Sequence, residues 1–559
     1  MTSRLSQFIF LLLTGAALLA FASSYLNQDL WYDEFMSLNT FALKGFSTTT
    51  TVYSSTNNHI LFNLYAAAAS RVLDYREIYD WMDKVYLFRA LQLAIGFLTV
   101  AFTFKFARDF LDRTTAYVAI IVLVTSIPFL NFAMQLRGYG FSMLFAISMT
   151  YFTWRYARDG RIFQLALMIL SGFFLLYTIP SNIFFATSLG LLWTYRWISA
   201  LKRKSRAESK RTLILLAGLV GCAVLAALAY LPVVDDMLKE PNLNRVPADR
   251  MYVFTGPLPS VFSYFLSARF VLLLAFLAGL VGLEKVIRKQ RGLSSVNRMI
   301  YPLLFLLLCP FLLAFLTNRF PFQRNFLSLI PIFAIVIALP VSKFITNLRL
   351  SSRREVILVA GVYAYCIVSA FWQLNVVQGT LDNNLSKTER VQDMYYNYYL
   401  ADNYIPGKSA ALLAARQAST PGPIVLMDPF DRMSMSYYLK RHRLESYRVT
   451  DIKKTSDETT HTHVCWVENS TADPNEKRFR SLRVPMTLTD YPEEAMDFGL
   501  ALSVATKINP GANVYVIAAY AEEFESLFDK YFQEAYTLER LNDFTSSSNV
   551  FMLTKRPGA

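Results

Sequence analysis

Apolar runs long enough to cross a lipid bilayer recur through the first two thirds of this chain. They fix its class before any motif is considered. After an opening run, Phe8 to Phe21, built almost wholly of Leu, Ile, Phe, Ala and Gly, such segments stand at about 85–107, 115–134, 139–154, 162–180, 182–198, 212–231, 263–284, 299–317, 325–342 and 355–374. A helix needs about twenty residues to span the hydrocarbon, so the pattern predicts about eleven transmembrane helices. The composition agrees: 54% of the 559 residues are hydrophobic and the mean hydropathy is +0.32, too apolar for a soluble chain.

The formal charge of +14 belongs to topology and not to nucleic acid, because the basic residues cluster between the apolar runs. Arg4 precedes the first run, which is followed by acidic and aromatic residues in place of a small-residue cleavage site, so it is read as a retained span and not a signal peptide. With a cytoplasmic N-terminus, Lys105, Arg108, Arg113, Arg155, Arg158 and Arg161 fall inside, as do the stretches Lys202 to Arg211, Lys285 to Arg298 and Lys343 to Arg354. The opposite segments carry few bases, as the positive-inside rule expects. An odd number of spans then places everything after Gln373 outside. Cys222, Cys309 and Cys366 lie within apolar runs and Cys465 stands alone, which indicates buried thiols and no disulfide framework.

Two domains are expected, a transmembrane domain over 1–375 and an extracytoplasmic α/β domain over 376–559. In the second, Pro406-Gly407 and Pro421-Gly422-Pro423 punctuate short β-rich runs at Pro423 to Met427, His463 to Val467, Asn513 to Ala518 and Val550 to Leu553, with helices around Leu412 and Phe524. It contains no G-x-G-x-x-G, P-loop lysine or G-x-S-x-G, so no chemistry is assigned to it.

The residues that can carry chemistry lie at the ends of the runs. Asp33 and Glu34 follow Trp31-Tyr32 just beyond the first span. The bland account is an interfacial aromatic anchor with acids facing water. The functional one is that adjacent acids in an extended segment point opposite ways, so that Asp33 faces a cavity as a general base and Glu34 supports it or meets an acceptor. His59, after Asn57-Asn58 and at the start of the short apolar helix Ile60 to Leu73, suits phosphate contact, metal bridging with the acids, or capping. That helix is too short to span and is expected along the membrane surface. Arg137, in Gln135-Leu136-Arg137-Gly138-Tyr139, and Arg89 either grip a phosphate or snorkel to headgroups. Arg324, directly before a span, is assigned to phosphate, and Arg319 to snorkelling.

These residues together resemble the GT-C glycosyltransferases of the protein O-mannosyltransferase and aminoarabinose transferase kind, family 39. The likeness covers the membrane domain and rests on Asp33-Glu34, the Asn-His and apolar helix at Asn58 to Tyr65, the turn Arg137 to Tyr139, and the stretch Arg324 to Pro331. One departure is visible: the family commonly has prolines after the histidine, where this chain has Ile60-Leu61. The resemblance implies transfer of a sugar from a polyprenyl-phosphate carrier to an acceptor hydroxyl at the outer membrane face, with inversion. Asp33 would be the base, with Glu34 beside it, and His59, Arg137, Tyr139 and Arg324 would bind substrate. No cofactor is required by the sequence, though a divalent cation is compatible with it. The acceptor is a glycan, a lipid or a protein, the other partners are membrane lipids, and nucleic acid is excluded. A bacterial inner membrane suits the size and the lack of cysteine pairing. The competing class is a transporter or lipid flippase with outer-face ionisable groups lining a path, against which the span centres are nearly free of charge.

Overall fold

The structure is a computed structural model of the chain. It describes residues 4–26, 32–56, 58–240, 295–319, 323–347, 357–368, 406–426, 446–455, 462–469, 479–485, 511–518, 521–541 and 549–557, with a few isolated positions besides. The chain divides into two compact units. The first comprises Met1–Asn27, Met36–Val376 and Tyr395–Leu400, and the second Gln28–Phe35, Val377–Met394 and Ala401–Ala559.

The first unit is helical. Helix α1 (Arg4–Leu26) precedes α2 (Tyr32–Ser37), whose residues up to Phe35 are grouped with the second unit and which runs into a π-helical turn at Leu38–Ala42. Then come α3 (Gly45–Thr51), α4 (Ile60–Val72), α5 (Ile78–Asp83) and α6 (Val85–Phe110). Asp112 starts α7 (Arg113–Val124) by accepting the Thr115 backbone N–H at 2.7 Å, which satisfies one of the donors a helix start leaves open. Helices α8 (Ile127–Met134), α9 (Tyr139–Asp159), α10 (Ile162–Thr178), α11 (Ile183–Lys202), α12 (Arg206–Tyr230) and α13 (Val234–Lys239) follow, then α14 (Ser295–Thr317), a 3-10 segment at Gln323–Leu329, α15 (Ile330–Asn347) and α16 (Ile357–Val368).

Helix α9 is the centre of this unit. It packs against α6, α10, α12 and the 3-10 segment, and it is buried around nearly its whole circumference over its first half. An α-helix apolar on every side has that fate. Helix α10 lies close on α9 and α12 because Gly172 carries no side chain: a Cβ there would stand 2.9 Å from Met149 Cε on α9 and 2.7 Å from Cys222 Sγ on α12. Across the bundle, α7 packs on α15, where Thr115 Oγ1 and Ser342 Oγ share a buried hydrogen bond of 2.6 Å. Hydroxyl pairs of this kind hold helices together where lipid offers no hydrophobic drive. Cys222, Cys309 and Cys366 are buried free thiols.

Among the described residues, Val85–Phe110, Arg206–Lys239, Met299–Thr317 and Arg324–Lys343 are helical stretches long and apolar enough to cross a membrane, which makes this a multi-pass membrane protein. Helices α1, α9 and α11 have the length of spans, α10 and α16 are apolar but shorter, and the run at 263–284 lies outside the described residues. The run at 115–134, expected as one straight span, is broken: α7 and the helix from Pro128 to Met134 meet at 68°. Thr125 ends α7, and proline in the first turn of α8 fits a new helix start but not a continuing helix.

The second unit carries a seven-stranded sheet in the order β4-β3-β2-β1-β5-β7-β6. Its strands are β1 (Ile424–Leu426), β2 (Ser446–Thr455), β3 (Thr462–Asn469), β4 (Phe479–Pro485), β5 (Val514–Ala518), β6 (Tyr536–Arg540) and β7 (Asn549–Lys555). β1 runs parallel to both β2 and β5, and every other pairing is antiparallel. All five residues of β5 are buried, the mark of a strand covered on both faces. Helices α17 (Pro406–Ser419) and α18 (Ala521–Tyr531) belong to the same unit. Phe524 and Phe528, one helical turn apart on α18, pack with Phe532 against Val425, Val514, Val516, Phe551 and Leu553. With parallel strands and helices in one unit, this is the α/β domain that the punctuated sequence predicts.

Candidate functional site

The site of interest in the first unit forms where the turn between α8 and α9 meets the start of α4. Gln135 ends α8 in an extended conformation, and the Arg137 N–H donates to Gln135 O at 2.7 Å. Gln92, on α6, clamps this turn: its Nε2 donates to Gln135 O and to Arg137 O, each at 3.2 Å. Arg137 and Tyr139 are each 1% exposed, so Arg137 does not snorkel outward, and neither does the equally buried Arg89 one turn from Gln92.

His59 meets this turn from the other side. It occupies the N-cap position of α4 but makes no capping hydrogen bond with its side chain. Its Nδ1 instead accepts the Gly138 N–H at 3.0 Å, and its Nε2 lies 3.3 Å from Arg137 Nη2. The loop before it is held by Asn58, whose Nδ2 donates to Thr49 O and Val52 O while its Oδ1 accepts from Asn63. Tyr139 props both partners: its ring stands edge-on to the imidazole at 5.1 Å and 5.7 Å from the Arg137 guanidinium carbon. Gly138 is glycine for want of room, since a Cβ would stand 2.6 Å from Thr178 Cγ2 and 3.1 Å from both Cβ and Nδ1 of His59.

Burial, then the charges of Arg137 and Arg324, hold the His59 pKa well below its ordinary 6.5. The ring is therefore neutral, and since Nδ1 accepts a backbone N–H, the proton sits on Nε2. Nε2–H and Nη2 of Arg137 are then two donors 3.3 Å apart, a pair that an anionic oxygen would satisfy. Arg324, 8% exposed in the 3-10 segment ahead of α15, adds a second guanidinium whose field reaches the imidazole. Arg319 is exposed.

Asp33 and Glu34 are both buried and stand in the first turn of α2, within the segment grouped with the second unit. The extended geometry expected for them is corrected: in a helix adjacent side chains diverge by about 100° and do not oppose each other. Acids in a first turn favour helix through the macrodipole. Trp31 and Asn57 lie outside the described residues. Among the described residues, no group of three or more His, Cys, Asp and Glu gathers that could hold a metal.

The sequence reading missed Gln92, Asn63 and the tie from Asn182 Nδ2 to Ser142 Oγ at 2.9 Å, which fixes the α10–α11 corner to the start of α9. A signal existed, since amides within apolar helices are expensive unless they bond. Tyr53 was missed as well: burial, then the charge of Glu240, raises its phenol pKa, and Arg137 opposes them.

A bundle of apolar helices bearing a buried cationic pocket at helix ends, with a separate α/β unit, defines a class of polytopic membrane protein. No sequence-family model matches this chain, and neither does any curated protein. Solved structures do. ArnT from Cupriavidus metallidurans in the apo state matches over 99% of this chain and 98% of its own, at 11% identity and a TM-score of 0.50. The same protein bound to undecaprenyl phosphate matches over 97% of each chain at 12% identity and 0.48. An Archaeoglobus fulgidus oligosaccharyltransferase in complex with Zn and sulfate covers 92% of this chain and 67% of its own, at 12% identity and 0.41. The chain has the fold of ArnT.

Proposed function

We propose that this protein is an integral membrane glycosyltransferase that moves a sugar from a polyprenyl-phosphate carrier to an acceptor hydroxyl at the outer face of a bacterial inner membrane. Its N-terminus is cytoplasmic and the domain at 376–559 extracytoplasmic. The observation that carries this function is the convergence of Arg137 and the field of Arg324 on a buried, neutral His59. A membrane protein that gathers buried cations at helix ends has built a site for an anion, and in a GT-C fold the fitting anion is the phosphate of a lipid-linked donor.

In this scheme the guanidiniums and Nε2–H of His59 stabilise the charge that develops on the phosphate as the glycosidic bond breaks, while Tyr139 keeps imidazole and guanidinium in register. A phosphate monoester leaves as a weak base, so no strong general acid is needed. Asp33 takes the proton of the attacking hydroxyl, with Glu34 beside it, and attack opposite the leaving phosphate inverts the anomeric centre. If a divalent cation takes part, this carboxylate pair is what would hold it. The acceptor is a glycan, lipid or protein hydroxyl. A transport path is disfavoured by the placement of Arg137 and Arg324 just ahead of α9 and α15 and not within them.

The test is sugar transfer by purified protein from a lipid-linked donor. Asp33→Asn is expected to lower the rate about a hundredfold or more while donor binding persists. Transfer within a few-fold of wild type removes Asp33 as base, and loss of donor binding in Arg137→Gln, with Asp33→Asn still binding, supports the phosphate site. Chelation by EDTA decides whether a cation participates.

A further inference from the structure

At the other end of α9 lies a second cationic cavity that the transfer chemistry does not use. Helix α9 rises about 30 Å over its length, so the two sites sit at opposite ends of one buried helix. The cavity, of about 410 Å³, is lined among others by Trp154 and Arg158 of α9, Trp193 and Arg196 of α11, and Glu208 and Arg211 of α12.

Most of its charges are already engaged. Arg158 bonds Asp159 and the Asp109 carbonyl. Arg211 caps the end of α9 through the carbonyls of Ala157 and Arg158, at 3.0 Å each. Glu208, the acid in the lining, is held by Arg203 at 2.9 Å. Arg196 differs: it makes no hydrogen bond or ion pair with any described residue, and its guanidinium carbon rests 4.8 Å from the Trp193 ring centroid and 5.7 Å from that of Trp154. The indole N–H groups of Trp154 and Trp193 are buried and also lack a hydrogen-bond partner. The wall carries the guanidiniums of Arg158, Arg196 and Arg211, and its acid is already held by Arg203.

We infer that this cavity binds the phosphate headgroup of an anionic diacyl phospholipid. Arg196 is the principal ligand. Its guanidinium is held over two indole rings, so little side-chain freedom is lost when phosphate binds. The basic residues of this end belong to the cytoplasmic side by the positive-inside asymmetry, where the leaflet is anionic and where basic pockets between spans take such headgroups. The site is independent of the transfer reaction and would exist in a protein with no transferase activity.

The full chain is reconstituted in nanodiscs of phosphatidylcholine mixed with phosphatidylglycerol, and the lipid retained is read by native mass spectrometry. Wild type is expected to retain phosphatidylglycerol over phosphatidylcholine, and Arg196→Gln to lower that preference about tenfold, the equivalent of one charge-assisted hydrogen bond. Lys202→Gln, a basic change outside the cavity, is expected to keep it. Equal retention by Arg196→Gln and wild type overturns the proposal, as does an equal loss in Lys202→Gln, which would mean surface charge alone. Displacement of the lipid by inorganic phosphate at matched concentration would make the site one for free phosphate, and this too overturns it. Should Arg196→Gln fail to fold, Arg196→Lys, which keeps the charge and loses the planar fork, is expected to show a smaller loss of the same preference, and no loss there counts against the proposal.

Discussion

Gly138→Ala tests the geometry of the cationic pocket with a single methyl group. The added Cβ would stand 2.6 Å from Thr178 Cγ2 and 3.1 Å from His59 Cβ and Nδ1. The first distance is below any real carbon contact, so either the turn or α10 must move. Overpacking of this kind costs about 1–3 kcal/mol of stability. The same movement opens the 3.0 Å bond from the Gly138 N–H to His59 Nδ1, which fixes the tautomer that points Nε2–H at a ligand. Misplacing a binding group by about 1 Å can lower a rate about a hundredfold. Expected, then, are a lower melting temperature and a roughly hundredfold loss in kcat/KM for the lipid-linked donor. The double variant Gly138→Ala/Thr178→Ser discriminates causes, because serine lacks Cγ2 yet keeps the hydroxyl that donates to Phe174 O. It is expected to recover most of the stability and only part of the rate, since the contacts with His59 remain. A Gly138→Ala protein that transfers sugar within about twofold of wild type would refute the dependence of the pocket on this close approach.

Two further outcomes follow from the same structure. With the His59 pKa held well below 6.5, the unfolded chain takes up a proton there as pH falls through that value while the folded chain does not. This group alone therefore lowers stability with falling pH, by at most about 1.4 kcal/mol per unit, and melting temperatures measured across that range are expected to fall less steeply in His59→Asn; an unchanged slope contradicts it. In the second unit, Phe528, 3% exposed between α18 and the sheet, is expected to cost about 3–5 kcal/mol when truncated to alanine, read as early proteolysis of the C-terminal domain.

Much of the fold is legible in the sequence because periodicity and length act locally. α6, α10, α11, α12 and α14 stand where their apolar runs predict, and β1, β3, β5 and β7 where short β-rich runs predict. β2, β4 and β6 escaped because their sequences, such as Arg448, Asp451, Lys453 and Lys454 in β2, mix charge into the strand. Such strands are specified by their neighbours more than by their own hydrophobicity. The break after Thr125 was hidden because Thr and Ser barely interrupt a hydropathy profile. At the site, Arg137 and His59 could each be singled out, but not their meeting, which joins residues 78 positions apart. Nor could Gln92, or the reason for Gly138, be read without α6 and α10 in place.

Gln92 has a mechanical consequence. Both hydrogens of its amide are committed, one to the carbonyl of Gln135 and one to that of Arg137, so the peptide units flanking the arginine are bolted to α6 without slack. Any roll or slide of that helix carries the guanidinium with it like a lever on a fixed pivot. A force acting anywhere along its length would thus be felt as a change in grip.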